Sequence, residues 1–505
     1  MLRFEYITAW AQGIGGSLRR WRKAAEQPVS AEPLWWVSEE RPALDELARW
    51  PLVRLPAFVR QCPVALRLLG QLGQLAWSDF PEPALRHWDS RQPEARAHFV
   101  AAFLVKVLEK QDSMPALRQF LVEHPAVLWL LGFRLYPDPS QPWGFDAERS
   151  LPSHRHFSRV LRELPNSALQ FLLTSSVQAL RATLPADSAF GEAISLDTKH
   201  ILAWVKENNP QAYVKERYDK NRQPKGDPEC KLGCKRRSNA HSAQNADESP
   251  PPTPTTAGLP VSTGLPGLEK GEFYWGYASG VVATKVPHYG EAVLAELTQT
   301  FDRSDQSYFQ PLMAQTERNL GRAPRYGALD KAFDWFLVYE YFDRAGGFAA
   351  VPYADRAEHQ KSFQHELPLC EADLPMPLVS TFQRKSHCLV PHEVGRYRCP
   401  LLYPQPSGES CPLAHKNWPT GGCLTTLPTS PGNRIRHQLD RSTAEFERIY
   451  AQRTAVERIN SQAKELGIER PKLRNHRSIS NQNTLIYVVI NLNALARFRE
   501  RRTAP

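Results

Sequence analysis

Tyr450, Arg453, Glu457 and Lys464 stand in Y-(2)-R-(3)-E-(6)-K spacing within the stretch FERIYAQRTAVERINSQAKELG. No Pro or Gly interrupts the chain from Ser442 to Leu466, and Ile449, Ala455, Val456, Ile459 and Ala463 recur at helical spacing, so the stretch is expected to be one helix. Arg453, Glu457 and Lys464 lie at offsets of four and seven, which puts one carboxylate between two cations on one side of that helix. Such an arrangement suits a divalent metal beside a phosphate.

A metal site of this kind needs further carboxylates, and two upstream segments offer them. AISLDTKH, residues 193 to 200, is an apolar run that reaches Asp197, and RYGALDKAFDWFLVYEYF from Arg325 places Asp330 where a strand-like run gives way to a helix. Both aspartates are expected at strand ends. Carboxylates from separate strands and a helix supply the hard oxygen ligands that Mg²⁺ prefers, and three of them can hold two ions about 4 Å apart. One ion would activate an attacking water or 3′-hydroxyl and the other would stabilise the leaving oxygen.

With these residues in order, the chain resembles bacterial insertion-sequence transposases of the DDE superfamily, in the group with the Y-(2)-R-(3)-E-(6)-K signature, over most of residues 190 to 490. The resemblance implies an RNase-H-like mixed-sheet catalytic core; the fold class expected for the whole chain is α/β, that core with an all-helical N-terminal domain before it and a Cys/Pro-rich subdomain inserted in it. It implies that Asp197, Asp330 and Glu457 are catalytic and bind two Mg²⁺ or Mn²⁺ ions. It also implies that Tyr450, Arg453 and Lys464 contact transposon-end DNA. The long stretch between the two aspartates and the Cys-bearing insertion before Glu457 depart from the group's pattern.

Charge is distributed as a polyanion partner would require. The net charge is +10, yet residues 431 to 505 hold 15 Lys or Arg against 7 Asp or Glu, and residues 199 to 237 hold 11 against 5. The remainder is slightly acidic, so two basic segments flank the carboxylates. The longest uncharged apolar runs, FVAAFLV from Phe99 and AVLWLLGF from Ala126, are too short to span a bilayer. The N-terminal residues lack the cationic and apolar segments of a signal peptide, and a cytoplasmic, nucleoid-associated protein is expected.

The elements divide the chain into four parts. Residues 1–190 read as a helical domain, with amphipathic stretches near 43 to 77, 95 to 110, 115 to 133 and 153 to 183. Trp21, Arg22, Lys23, His154, Arg155, His156 and Arg159 make it a candidate for end recognition, the alternative being plain helical packing. Residues 191–357 form the first part of the core, with a flexible loop over 206–270 that includes a Ser, Pro and Thr-rich segment from Ser242 to Gly267. A hairpin is expected at 271–287, a helix over 291–320, a strand at YGALD, a helix over 331–345 and a strand at GFAAVPY.

Residues 358–431 are an insertion in which pattern is lost. Cys388, Cys399, Cys411 and Cys423, with His387, His392 and His415 nearby, are candidates for a structural zinc, or are ordinary reduced thiols; Cys230 and Cys234 are a further metal candidate. Residues 432–505 complete the core. There Lys472, Arg474 and Arg477 are expected at the mouth of the site as DNA contacts, and Ile486 to Leu495 should pack on the sheet, with Asn491 and Asn493 as structural residues.

The function these expectations add up to is cleavage and strand transfer at terminal inverted repeats of double-stranded DNA, by a dimer assembled on that DNA. Two alternatives remain open from the residues: a catalytically silent DNA-binding derivative, and a metal-dependent nuclease without strand transfer.

Overall fold

The computed structural model describes residues 41–83, 94–236, 271–354, 361–386 and 388–503. Trp21, Arg22, Lys23, His387 and the Ser/Pro/Thr-rich segment 242–267 lie outside the described residues. The fold is mixed α/β: N-terminal helices, a curled mixed sheet with parallel strands, and a long C-terminal helix. The chain divides into two compact units, residues 1–172 and 173–505.

In the first unit the helix Arg96–Leu108 is almost wholly apolar from Phe99 onward, and Val100, Phe103 and Leu104 are buried. Shorter helices at Pro63–Leu72, Met114–Glu123, Pro125–Leu130 and His154–Glu163 surround it in sequence, three of them with a proline at the first or second position, where its missing N–H costs nothing. Ser113 and Ser153 cap two of these helices by accepting from the N–H groups of Ala116 and His156. Among the described residues of this unit the only β pairing is one isolated bridge, Pro137 to Phe145.

The second unit is built on a six-stranded sheet. Its strands are β1 (Ala193–Leu202), β2 (Lys231–Arg236), β3 (Gly271–Val286), β4 (Gly290–Thr300), β5 (Tyr326–Leu329) and β6 (Phe348–Ala350). The order is β2-β3-β1-β5-β6, with β4 on β3; β1 runs antiparallel to β3 and parallel to β5, and β5 runs parallel to β6. Helix α1 (Asn166–Thr183), entering from the first unit, sends Val177 and Leu180 into a core with Ile194 and Leu196 of β1. The same core takes Tyr308 and Leu312 from α2 (Gln306–Leu320) and Tyr339 and Phe342 from α3 (Phe336–Arg344).

Residues 291 to 300 are strand where a helix is expected, and the helix begins only at Gln306. EAVLAELTQT is rich in helix-forming Ala, Leu and Glu, but it pairs with β3 over ten positions and buries Ala292, Val293, Leu294 and Ala295; tertiary pairing outweighs local propensity. The insertion is also more regular than its composition suggests. It carries a three-stranded antiparallel sheet of β9 (Leu378–Arg384), β10 (His392–Arg398) and β11 (Leu424–Pro428), after a short ladder of β7 (Phe363–Gln364) with β8 (Leu367–Pro368).

The chain returns to the large sheet through α4 (Pro431–Gln438), whose Arg436 grips Asp334 with two hydrogen bonds of 2.6 and 2.5 Å. Arg441 then lies 3.5 Å from the ring centre of Tyr353 and donates to the Val351 carbonyl. These contacts fix the start of α5 (Ala444–Tyr450), which packs Phe446 and Ile449 on Ala350 of β6. Helix α6 (Thr454–Glu465) follows, and α7 (His476–Thr503) closes the unit. Asn491 of α7 accepts from the Val293 N–H at 2.8 Å and donates to the Val293 carbonyl at 2.9 Å, so its amide satisfies the outer side of β4 as a neighbouring strand would. Among the described residues no helix is long and apolar enough to cross a membrane.

Candidate functional site

The parallel ladder between β1 and β5 ends at the pair Leu196 and Leu329. Asp197 and Asp330 are the next residues on the two strands, and neighbouring strands run about 4.8 Å apart. Asp330 does stand at a strand end, where it caps the short 3₁₀ turn Lys331–Phe333 by accepting from the Ala332 N–H at 2.9 Å. Asp197 lies mid-strand instead, because β1 continues to Leu202 against β3 after β5 has stopped. The two carboxylates nonetheless share one edge of the ladder.

The signature residues are not on one unbroken helix. A 3₁₀ turn, Ala451–Arg453, separates α5 from α6 and packs against β1 and β5. The tighter turn arises where the helix passes the strand ends, and no residue type in the sequence marks it. Helix α6 is registered on β1 by two bonds. Val456 N–H donates to Ser195 Oγ at 3.1 Å, and Asn460 Nδ2 donates to Asp197 Oδ2 at 3.0 Å. Four helical residues rise about 6 Å and two strand residues about 6.6 Å, so one helical turn matches one repeat of the strand face.

Burial comes first in setting the electrostatics of the pair. It raises the Asp197 carboxyl to about 6, with the charges of Asp330 and Asp305 acting in the same direction and the Thr198 N–H and Arg453 against them. Asp330 is raised for the same leading reason, again with Asp305 adding to the shift, while Ala332 N–H, Arg453 and Lys331 oppose it. Asp305, at the start of α2, accepts from Thr198 Oγ1 at 2.7 Å. Two crowded, partly desolvated carboxylates with a third charge behind them fit a hard divalent cation, which prefers oxygen ligands.

Glu457 does not join them. Its carboxylate is 2.7 Å from the Arg453 guanidinium, and both side chains are partly exposed. Among the described residues no three His, Cys, Asp or Glu side chains stand together in an arrangement that could hold a metal ion. Two aspartates therefore stand side by side, while the glutamate is held by an arginine.

Tyr450 stacks on Phe446 with ring centres 6.0 Å apart, and Arg453 lies 5.9 Å from the Tyr450 ring centre. Lys464 is exposed, 3.8 Å from Glu469, and Lys199 of β1 reaches the same Glu469 at 2.6 Å. Lys472, Arg474 and Arg477 are all exposed, between α6 and the first turn of α7. In the first unit, His154, Arg155, His156 and Arg159 share one helix, where Arg159 bonds the His156 ring.

The cysteines group differently from their spacing. Cys423 stands beside Cys399, and its thiol is pushed up to about 12 by burial first, then by Cys399 and Cys370. Cys388 instead donates to the Arg384 carbonyl, and Cys411 is half-buried in the long loop before β11. Cys370, absent from the expected ligand set, is thus nearer the pair than the sequence implies. Cys230 is buried with its thiol on the Asp227 carbonyl, whereas Cys234 is exposed.

Two residues at the site escape a reading by spacing. Asn460 sits one turn beyond Glu457 on the buried side of α6, and its Oδ1 is buried without a hydrogen-bond partner. Asp305 lies 107 residues from its partner Thr198; its only local signal is the Asp-before-helix pattern of DRSDQ. No protein-family model matches this chain, and no curated protein or solved structure matches it either.

Proposed function

We propose that the chain is a DDE transposase of a bacterial insertion sequence, which binds terminal inverted repeats as a dimer on DNA, cuts the ends and joins them to target DNA in the cytoplasm. The observation that carries this reading is the position of Asp197 and Asp330, side by side where the β1–β5 ladder ends, with α6 bonded to Asp197 and carrying Glu457 one turn away. An RNase-H-like core is supported by the strand order β4-β3-β1-β5-β6, in which β3 runs antiparallel to β1, β4 antiparallel to β3, and β5 and β6 parallel to β1.

Asp197, Asp330 and, once released from Arg453, Glu457 would hold Mg²⁺ or Mn²⁺. Bound there, such ions supply Lewis-acid polarisation of the phosphate and a more acidic nucleophilic water or hydroxyl. The chain's own residues do the positioning. Arg453 exchanges its carboxylate partner for a DNA phosphate, to which a guanidinium donates in bidentate fashion. Lys464, Lys472, Arg474 and Arg477, all exposed, neutralise the flanking backbone. Asn460 keeps Asp197 turned toward α6.

The Arg453–Glu457 pair favours one second reading, a DNA-binding derivative that no longer cuts. Incubating the protein and Mg²⁺ with labelled DNA ends from its own locus separates the two: cut and joined products support the transposase, cut products alone a nuclease, and bound, uncut ends the silent derivative.

A further inference from the structure

Between β1 and β2 the chain makes a long loop, residues 203–230, that is irregular but pinned. Asn208 donates to the carbonyls of Ala203 and Trp275 at 2.8 and 2.7 Å and accepts from the Trp275 N–H, while Trp275 Nε1 donates to the Arg217 carbonyl at 2.7 Å. On this fixed frame two large aromatic side chains face solvent: Trp204 is 50% exposed and Tyr213 is 94% exposed. Burial of apolar area cannot account for a tyrosine in that position. Lys206, Lys215, Lys220 and Lys225 are exposed on the same loop and form no ion pair among the described residues.

The loop also adjoins the basic stretch that follows α6. Leu202 N–H donates to the Glu469 carbonyl at 2.9 Å, and the His476 N–H donates to Glu229 Oε2 at 2.7 Å. Two segments more than 200 residues apart in sequence are thereby joined beyond the end of the strand that carries Asp197; residues 203–230 and 466–477 together hold ten Lys or Arg against six Asp or Glu.

We propose that residues 203–230 form a clasp for DNA with unpaired bases, in which the lysines follow the phosphates and Trp204 and Tyr213 stack on bases drawn out of the duplex. The inference rests on the DNA-cutting reading and adds the state of the DNA that the site takes. Interleaved cations and exposed rings fit this ligand: an intact duplex offers phosphates but hides its base faces, whereas a frayed end offers both. From Asp197 to Trp204 the chain covers at most roughly 23 Å at about 3.3 Å per residue, so the unpaired bases lie within about seven base-pair rises of the carboxylates.

Fluorescence anisotropy on the full chain tests this with two probes of one arbitrary sequence, a flush duplex of about 25 base pairs and the same duplex with about four unpaired nucleotides at one end. Wild type is expected to bind the unpaired-end probe about tenfold more tightly, the scale of one base stacked on an aromatic. The double variant Trp204→Ala with Tyr213→Ala should lose that preference and keep its affinity for the flush duplex. Tyr213→Ala alone, at so exposed a position, should lose part of it with an unchanged melting temperature, and Trp204→Phe should retain most of it. A double variant that keeps the preference, or a wild type that binds the flush duplex with steep salt dependence and shows no preference, overturns the clasp and leaves the DNA reading standing. No salt-dependent binding of either probe overturns both.

Discussion

Asn460 donates to Asp197 at 3.0 Å, across 263 residues of sequence, and its own Oδ1 is left buried without a partner. The bond couples the helix that carries Glu457 to the strand that carries the first aspartate. Asn460→Leu should remove a hydrogen bond to a charged group, costing about 1.5 to 3 kcal/mol, and should lower cleavage more than end binding. Urea unfolding and gel-shift titration read the two effects; equal loss of both would make Asn460 a packing residue only.

The raised Asp197 carboxyl has a consequence for stability. Its folded value of about 6 lies above the ordinary 3.8, so the folded protein holds the extra proton between those two values. Stability from this group is then present at pH 4 and is lost as pH rises toward 6. Asp197→Asn removes the cost of the charge but also one accepted hydrogen bond, and should stabilise the metal-free protein by about 1 to 2 kcal/mol at pH 7.5 with little gain at pH 4. Thermal unfolding at both pH values checks the sign; equal destabilisation at both would contradict it.

Mn²⁺ or Mg²⁺ should raise the melting temperature of the wild type, since binding the folded state alone stabilises it by about 2.7 kcal/mol at a hundredfold excess over Kd. The rise should vanish in Asp197→Asn and Asp330→Asn and be reduced in Glu457→Gln, whose carboxylate must first leave Arg453. A shift that survives both aspartate changes places the ion elsewhere.

Arg453→Ala and Lys464→Ala should each weaken DNA binding and reduce the salt slope by about one unit, the signature of a lost phosphate contact. Binding measured across salt concentrations decides it; an unchanged slope returns them to an ordinary charged helix.

Thiolates alkylate and thiols do not, so iodoacetamide at pH 8 should label exposed Cys234 first and spare Cys230 and Cys423, both pushed up to about 12 by burial. A zinc held by the insertion would be seen as chelator-dependent labelling of Cys399 and Cys423; labelling that a chelator leaves unchanged makes them packed thiols.

What the sequence discloses about this site follows the range of the interactions involved. Asp197 and Asp330 are legible because an apolar run that ends in a carboxylate is a local pattern, and the ladder between Leu196 and Leu329 sets them together. The strand at Glu291–Thr300 is not, since its residues favour a helix until β3 lies beside them. The 3₁₀ turn at Ala451–Arg453, the contacts of Asn460 and Asp305, and the pairing of Cys399 with Cys423 are long-range facts with almost no local trace. Glu457 shows the converse: its spacing to Arg453 is local, and the two side chains meet as an ion pair.

Cleavage of labelled duplex carrying the ends of the protein's own locus, measured beside end binding on the same preparations, tests the central claim most directly. With Mg²⁺ the wild type should cut and join those ends, while Asp197→Asn, Asp330→Asn and Glu457→Gln should each abolish cutting and leave binding largely intact. Full cleavage by any one of the three folded variants, or loss of end binding in all of them to the same degree as loss of cutting, would contradict the assignment of these carboxylates to the reaction.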